Sequence, residues 1–369
     1  MPPPGPRPPF KRPRLKRTIQ LVEAPDGNVL LTRCSADDVR IVDPSKEERE
    51  LLTALDGRTS MTDLIGRFGD ALTSRAMAGL CDLSLVEDAD DDDLLPAAER
   101  DRFDRQLRYF SEVDRGEVTP SECQQRLRDA RVAVLGVGGL GGRVALELAC
   151  CGVGELRLID GDLVEVSNLD RQIQYEEADI GKRKVDATAA RLRAFNSSVQ
   201  VETEFRRIES EGDLAEVIAG ADLVIGAADW PAHEIEHWFN SACFAAGIPY
   251  IGMSHCPPLI RVGPLYVPGK TGCYACEDAR NKREYQLYGA AAEQLRGKSS
   301  PAGTVGPPCG VIGGMVGMEA MHLLTGLTEP ATLGVAYTID LRTLEVEREP
   351  IQPEPECPVC AHLQPTPGS

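Results

Sequence analysis

The chain has 369 residues, enough for two or three domains and a sizeable core. Its 42% hydrophobic and 27% charged composition is that of a globular protein, and no apolar run reaches the roughly 18 residues of a membrane-spanning helix. A formal net charge of −18 argues against nucleic acid as the main partner, because neutralising phosphates takes a basic face. The first residues, MPPPGPRPPFKRPRLKR, lack the apolar stretch of a secretory signal. A cytoplasmic location is therefore expected, with the twelve cysteines reduced.

Residues 1–17 carry six Lys or Arg and no acid in a Pro-rich setting. That composition predicts a disordered basic tail, or else an arm that grips an acidic partner. Residues 18–87 read as a small separate domain. TIQLV and VLLTR flank a D-G-N turn and predict a hairpin, and VRIV adds a third strand. Asp43 as N-cap with Pro44 at the first helical position predicts a helix start. Ser60 with Asp63 resembles a capping box, a third helix is predicted over roughly 72–83, and SLVE is a final strand. This order predicts a winged-helix-like α+β domain. Seven basic against thirteen acidic residues argue against a DNA reader. An exposed sheet edge that pairs with an extended peptide fits better, and a packing or dimerisation appendage is the plainer alternative. The acidic run EDADDDD opens a segment, 88–100, that is expected to be a solvated linker.

Residues 101–349 form the main body. VAVLG, LRLID, VQVETEF, DLVIGAA and PYIGMS alternate with helical segments. That alternation predicts an α/β fold, a Rossmann-like, mostly parallel sheet with helices on both faces. A last helix is predicted over Val311–Leu324, and residues 350–369 form a Pro-rich tail.

The chemistry begins at the end of the first of these strands. GVGGLGG places a G-x-G-x-x-G at Gly136, Gly138 and Gly141, a turn whose backbone N–H groups approach an anion at a helix N-terminus. Asp160 stands where an acid would hold a ribose hydroxyl. Both NAD and ATP carry such a ribose, so the loop leaves the two open. The next segment separates them. DGDLVEVSNLDRQ holds Asp160, Asp162, Asn168, Arg171 and Gln172 close together, and GKRK puts Lys184 at a helix start. Clustered donors past the ribose acid suit a triphosphate, whose extra charge must be met. Surface charge is the plain reading of any one of them, and the ordered set argues against it.

Cys273-Tyr-Ala-Cys276 and Cys357-Pro-Val-Cys360 form two C-x-x-C knuckles. Four thiolates predict a closed tetrahedral Zn²⁺ site that pins two segments together, structural because no position stays open. Cys309 and Cys256 are read as buried small residues, and no catalytic cysteine is assigned.

Together, GVGGLGG, LIDGDLVEVSNLDRQ, GKRK and the C-x-x-C pairs resemble the ubiquitin-activating-like adenylyltransferases (the ThiF and MoeB type), over roughly residues 100–362. The resemblance implies a homodimeric or pseudodimeric α/β enzyme that uses Mg²⁺ and ATP to adenylate a carboxylate and release pyrophosphate. It implies that Gly139 lines the nucleotide loop and Asp160 holds the ribose. Asn168, Arg171 and Gln172 would face the phosphates, with Lys184 near the α-phosphate. RFDRQ is similar to a family motif that makes Arg105 a triphosphate ligand from the neighbouring subunit. Asp229, ending DLVIGAAD, matches the acid that holds Mg²⁺.

Past Asp229 the match to the sulfur-carrier enzymes breaks. Trp230 and Pro231 follow, and Glu234 stands where those enzymes have Arg. The stretch AADWPAHEIEHWFNSACFAAGIPYIGMSH is instead similar to the microcin C (MccB-type) branch, which acts on short ribosomal peptides and carries an N-terminal peptide-clamp domain of the kind used for leader recognition. The expected function is adenylation of a precursor peptide, by activation of a carboxylate or an amide, in concert with partner biosynthetic enzymes. The alternatives are adenylation of a Gly-Gly-ending sulfur carrier, and a non-catalytic scaffold that delivers peptide to another enzyme.

Overall fold

A computed structural model describes residues 10–33, 38–114, 117–285, 287–295 and 303–363. The chain divides into two compact units, one of Met1–Arg126 with Thr325–Thr328, the other of Leu127–Leu324 with Glu329–Ser369.

The second unit is built on an eight-stranded sheet. Its strands are β1 (Arg131–Leu135), β2 (Glu155–Ile159), β3 (Gln200–Glu204), β4 (Leu223–Gly226), β5 (Tyr250–Cys256), β6 (Leu259–Tyr266), β7 (Val335–Asp340) and β8 (Val346–Pro350), in the spatial order β8-β7-β6-β5-β4-β1-β2-β3. The five strands from β3 to β5 are parallel, as the alternation predicts. Val132, Ala133, Val134 and Leu135 are all buried, which is why β1 reads as a continuous apolar run. Flanking helices include α1 (Gly141–Cys151), α2 (Lys184–Phe195), α3 (Ile235–Ala246), α4 (Tyr274–Glu284) and α5 (Gly306–Thr325). Strand order reverses between β1 and β4, and in open α/β sheets ligands bind beyond the strand ends at that point.

The remaining strands make an antiparallel edge on the mostly parallel sheet expected. Beyond β5 it continues antiparallel through β6, β7 and β8. Pro257-Pro258 turns the chain back directly into β6, since Cys256 pairs with Leu259. No helix intervenes, so no parallel crossover can form.

The N-terminal unit holds the predicted small strands at Gln20–Glu23, Val29–Thr32 and Val39–Ile41, then helices Lys46–Ala54, Met61–Phe68 and Asp70–Asp82, then the strand Val86–Asp88. Leu31, Leu51, Leu64 and Leu85 form its core, each at most 1% exposed. The first helix is capped by Ser45, not Asp43, because Ser45 and Glu48 make a reciprocal capping box.

Two boundaries are corrected. Residues 1–9 lie outside the described residues, but residues 10–17 do not form a free tail. Pro13–Leu15 pairs antiparallel with Val86–Asp88. Nor is 88–100 a solvated linker: Ala89–Leu94 is a 3-10 helix and Ala97–Arg102 an α-helix. Each segment supplies the charge the other lacks. Arg14 grips Asp92 through both oxygens at 2.7 and 2.8 Å and reaches Glu87 at 2.8 Å, while Arg12 pairs with Asp90. Lys16 donates to the carbonyls of Ser111 and Asp114 at 2.5 and 2.8 Å, so residues 101–126, expected in the main body, fold with the N-terminal unit.

Candidate active site

The cleft at the strand-order reversal is framed by the glycine loop between β1 and α1. Gly136 has φ +85°, and a Cβ there would stand 2.7 Å from the Ala227 carbonyl oxygen. A Cβ on Gly141 would sit 1.9 Å from the oxygen of Gly136. Both glycines are thus required by the loop itself. Gly138 differs: a Cβ there would meet nothing closer than Gln172 Nε2 at 3.8 Å. Tyr175 and Gln174 hold the loop by donating to the Val137 carbonyl at 2.7 and 2.8 Å.

Asp160 follows the C-terminal end of β2. Its carboxylate accepts the N–H of Val137 at 2.9 Å and of Asp162 at 2.8 Å. One acceptor position on each oxygen stays available for a hydroxyl pair. Burial pushes its pKa up, against the pull of Lys184 and the two N–H groups. Lys184 opens α2, nearly buried, with Nζ 3.0 Å from Asp162. Arg207 reaches the other Asp162 oxygen at 3.0 Å. Burial would raise the Asp162 carboxyl, but its bonds to these two cations outweigh that and hold it below the usual range.

The cleft has a volume of about 590 Å³, within the range of ligand pockets, ~300–1,000 Å³. Gly136, Gly138, Gly139, Asp160, Asp162, Arg171, Gln172, Lys184 and Asp229 all line it. Arg171 is steered by its bonds to the Ser167 carbonyl at 2.7 Å and Asp170 at 2.8 Å. Asp229 stands three residues past β4, beside the exposed Trp230, over whose ring the Arg207 guanidinium lies at 5.3 Å.

Two expected ligand contacts take other places. Gly141 only packs the loop. Asn168 is buried and does not line the cleft. Its Oδ1 accepts the Glu165 N–H at 3.0 Å, and its carbonyl accepts those of Arg171 and Gln172, so it orients the residues that do. Arg105, expected to act from a neighbouring subunit, sits exposed on the helix Asp104–Val113 of the N-terminal unit.

Sequence reasoning missed Arg206, Arg207 and Glu236, all lining residues. The arginines had a signal: they stand two and three residues past β3, at the C-terminal end of a parallel strand. Glu236 had none. Its Oε2 is buried without a hydrogen-bond partner among the described residues, and burial raises its pKa. His255, another lining residue, is bonded through Nδ1 to the Thr304 hydroxyl at 2.8 Å, and burial lowers its pKa, which favours the neutral ring.

The donors fit a nucleoside triphosphate. The open glycine leaves room for a phosphate against the backbone, four cationic side chains (Arg171, Lys184, Arg206 and Arg207) line the walls, and Asp160 offers acceptors for a ribose.

In the same unit, the four knuckle cysteines are buried and their sulfurs lie within 4.8 Å of one another. Cys273 is 3.4 Å from Cys357 and 3.8 Å from Cys276, and Cys276 is 3.4 Å from Cys360. These separations exclude disulfides, at ~2.05 Å. They approach the ~3.8 Å tetrahedron edge that follows from ~2.3 Å zinc–sulfur bonds. Asn240 Nδ2 donates to Cys273 and the Glu354 N–H to Cys276, which supports thiolate character. The set fits a closed metal centre. Of the two other cysteines considered, Cys309 is buried as expected, whereas Cys256 is exposed.

Residues 103–359 match the ThiF family. The chain is 35% identical over 237 residues to the sulfur carrier protein ThiS adenylyltransferase of Escherichia coli K12, covering 64% of this chain and 88% of that protein. It is 34% identical over 261 residues to the SAMP-activating enzyme E1 of Haloferax volcanii, covering 69% and 88%. Among solved structures, E. coli MccB with ATP superimposes with a TM-score of 0.72 at 24% identity, covering 94% of this chain and 99% of that one. PaaA superimposes with a TM-score of 0.72 at 30% identity, covering 91% and 99%. The MccB likeness carries the fold; the family match and the curated relatives carry the activity. The chain belongs to the ThiF family and is an ATP-dependent adenylyltransferase.

Proposed function

We propose that the protein adenylates the carboxylate of a ribosomally made precursor peptide, whose leader binds the N-terminal unit. The supporting observation is an available strand edge. Gln20–Glu23 is an outer strand of its three-stranded sheet, exposed throughout, with Leu21 and Val22 at 36% and 42% exposure. Such an edge offers backbone donors and acceptors to an extended peptide, and alternate side chains supply specificity. Coverage points the same way. MccB and PaaA superimpose over 94% and 91% of the chain. MccB itself has been crystallised with N-formylated MccA.

In the reaction, a carboxylate oxygen of the substrate attacks the α-phosphorus of ATP and the bond to the β-phosphate oxygen breaks. The products are acyl-adenylate and pyrophosphate. Lys184 and Arg171 face the charge that builds on the phosphate oxygens, and Asp160 holds the ribose. Asp229 is the carboxylate placed to hold Mg²⁺, which when bound neutralises phosphate charge. The substrate carboxylate is the nucleophile, so no catalytic cysteine is needed. The four cysteines hold Zn²⁺ as a structural brace. Val311 and Met315, exposed one turn apart on α5, suit a homodimer contact, with Arg105 completing the triphosphate site from the partner copy.

The identity to sulfur-carrier enzymes favours a second reading, adenylation of a carrier ending in Gly-Gly. ATP–pyrophosphate exchange with Mg²⁺ separates the two. Exchange with peptides encoded near the gene, weakened by deleting residues 1–95, supports the first. Exchange with the carrier alone replaces it with the second.

A further inference from the structure

One polar group in the cleft has no part in the nucleotide chemistry above. Glu236, the second residue of α3, lines the cleft with Asp229. Its Oε2 is shut off from solvent and has no hydrogen-bond partner among the described residues. His233, Asp229 and Tyr274 are the titratable groups that interact with it. Burial keeps its pKa raised, with Asp229 adding to the shift, while a hydrogen bond from its own backbone N–H and the proximity of His233 oppose it. A buried acceptor left unpaired is costly, so its retention in a cleft wall points to a ligand donor. The last torsion of a glutamate is broad, and rotation about it turns either oxygen to the cleft.

The chemistry of the substrate says which donor that is. The carboxylate to be activated must lie near Asp229 and the cationic wall. Every peptide or protein C-terminus other than proline carries an amide N–H on the same Cα as its carboxylate. That N–H therefore reaches the cleft with the carboxylate, whichever chain delivers it. We propose that Glu236 accepts the amide N–H of the substrate's last residue and so positions the carboxylate for attack on ATP. This rests on the reading that a C-terminal carboxylate is adenylated, for peptide and carrier substrates alike.

The test uses pyrophosphate exchange with two probes, the synthetic precursor peptides and the Gly-Gly-ending carrier. Each is prepared with its last amide as N–H and as N-methyl. In the unaltered protein, N-methylation should raise KM about tenfold, the equivalent of one hydrogen bond of ~1.4 kcal/mol, and change kcat less than about twofold. Glu236→Ala should raise KM for the native probe by the same factor, and N-methylation should then add nothing. Glu236→Gln, which keeps a carbonyl acceptor, should restore both the native KM and the response to N-methylation. An unchanged KM on N-methylation in the unaltered protein overturns the proposal, and that comparison depends on no variant folding. So does an equal N-methyl penalty in Glu236→Ala. Exchange with neither probe removes the underlying reading and this one together; exchange without the N-methyl response removes only this one.

Discussion

The nucleotide cleft and the four-cysteine cluster belong to the same unit and differ in how completely their polar atoms are committed. In the cluster each sulfur has a sulfur neighbour within 3.8 Å, and two also accept an N–H. In the cleft Gln172 Oε1 and Glu236 Oε2 are buried without partners among the described residues, Gly138 faces open space, and Lys184 and Arg207 share Asp162. Buried polar atoms are ordinarily paired, so the shortfall marks the place where ligand atoms arrive. On the proposed reading, the closed set serves the fold and the incomplete set serves the reaction.

The comparison breaks first at Asp229. Asp229→Ala should lower the exchange rate by about a hundredfold to a thousandfold, the size of one lost electrostatic stabiliser, while the melting temperature holds. A rate near the parental value would remove Asp229 from the chemistry. Cys273→Ser should do the reverse. It should cost one metal ion per chain in elemental analysis and about 4 kcal/mol of stability, as for a ligand held at a thousandfold its Kd. Unchanged metal content would refute the closed centre. Gly138→Ala sharpens the contrast within the glycine loop. A methyl group fits there without clash, so stability should hold while ATP affinity in calorimetry falls roughly tenfold or more. Gly141→Ala, which would collide with the Gly136 carbonyl, should destabilise the protein instead.

The smallest effect concerns Lys184 and Asp162. The folded-state pKa of Asp162 is depressed, so its pairing contributes above the unfolded value and is lost as pH falls through the folded one. The melting-temperature difference between the parent and Lys184→Ala should be constant near neutral pH and shrink below about pH 3.9. A difference that grows on acidification would show that Asp162 is not its source.

Local patterns carried much of this into view. The glycine spacing, the acid after β2, Lys184 at a helix start and the paired cysteines are short-range signals, each tied to one turn or one strand end. What the chain order concealed was long-range. The pairing of Pro13–Leu15 with Val86–Asp88 joins segments more than 70 residues apart, so a basic run and an acidic run each read as solvated when considered alone. Asn168, expected at the phosphates, is seen to orient its neighbours and not to line the cleft, because proximity in sequence does not tell a side chain that faces a ligand from one that orients its neighbours. Glu236 gave no sign, since a glutamate on a helix is ordinarily a surface charge and only the packing of α3 brings it to the cleft.

By itself the sequence determined the chemistry available: a backbone turn only glycine can make, donors and acids ordered along the chain for a triphosphate, and thiols spaced for a metal. Those follow from covalent spacing and backbone sterics, which are local. Tertiary structure decided which charges meet. It neutralised the N-terminal arginines against Glu87, Asp90 and Asp92, set Lys184 and Arg207 on one carboxylate, and left Oε2 of Glu236 without a partner at the cleft wall. Electrostatic partnership depends on distance and burial in space, and neither is written in chain order.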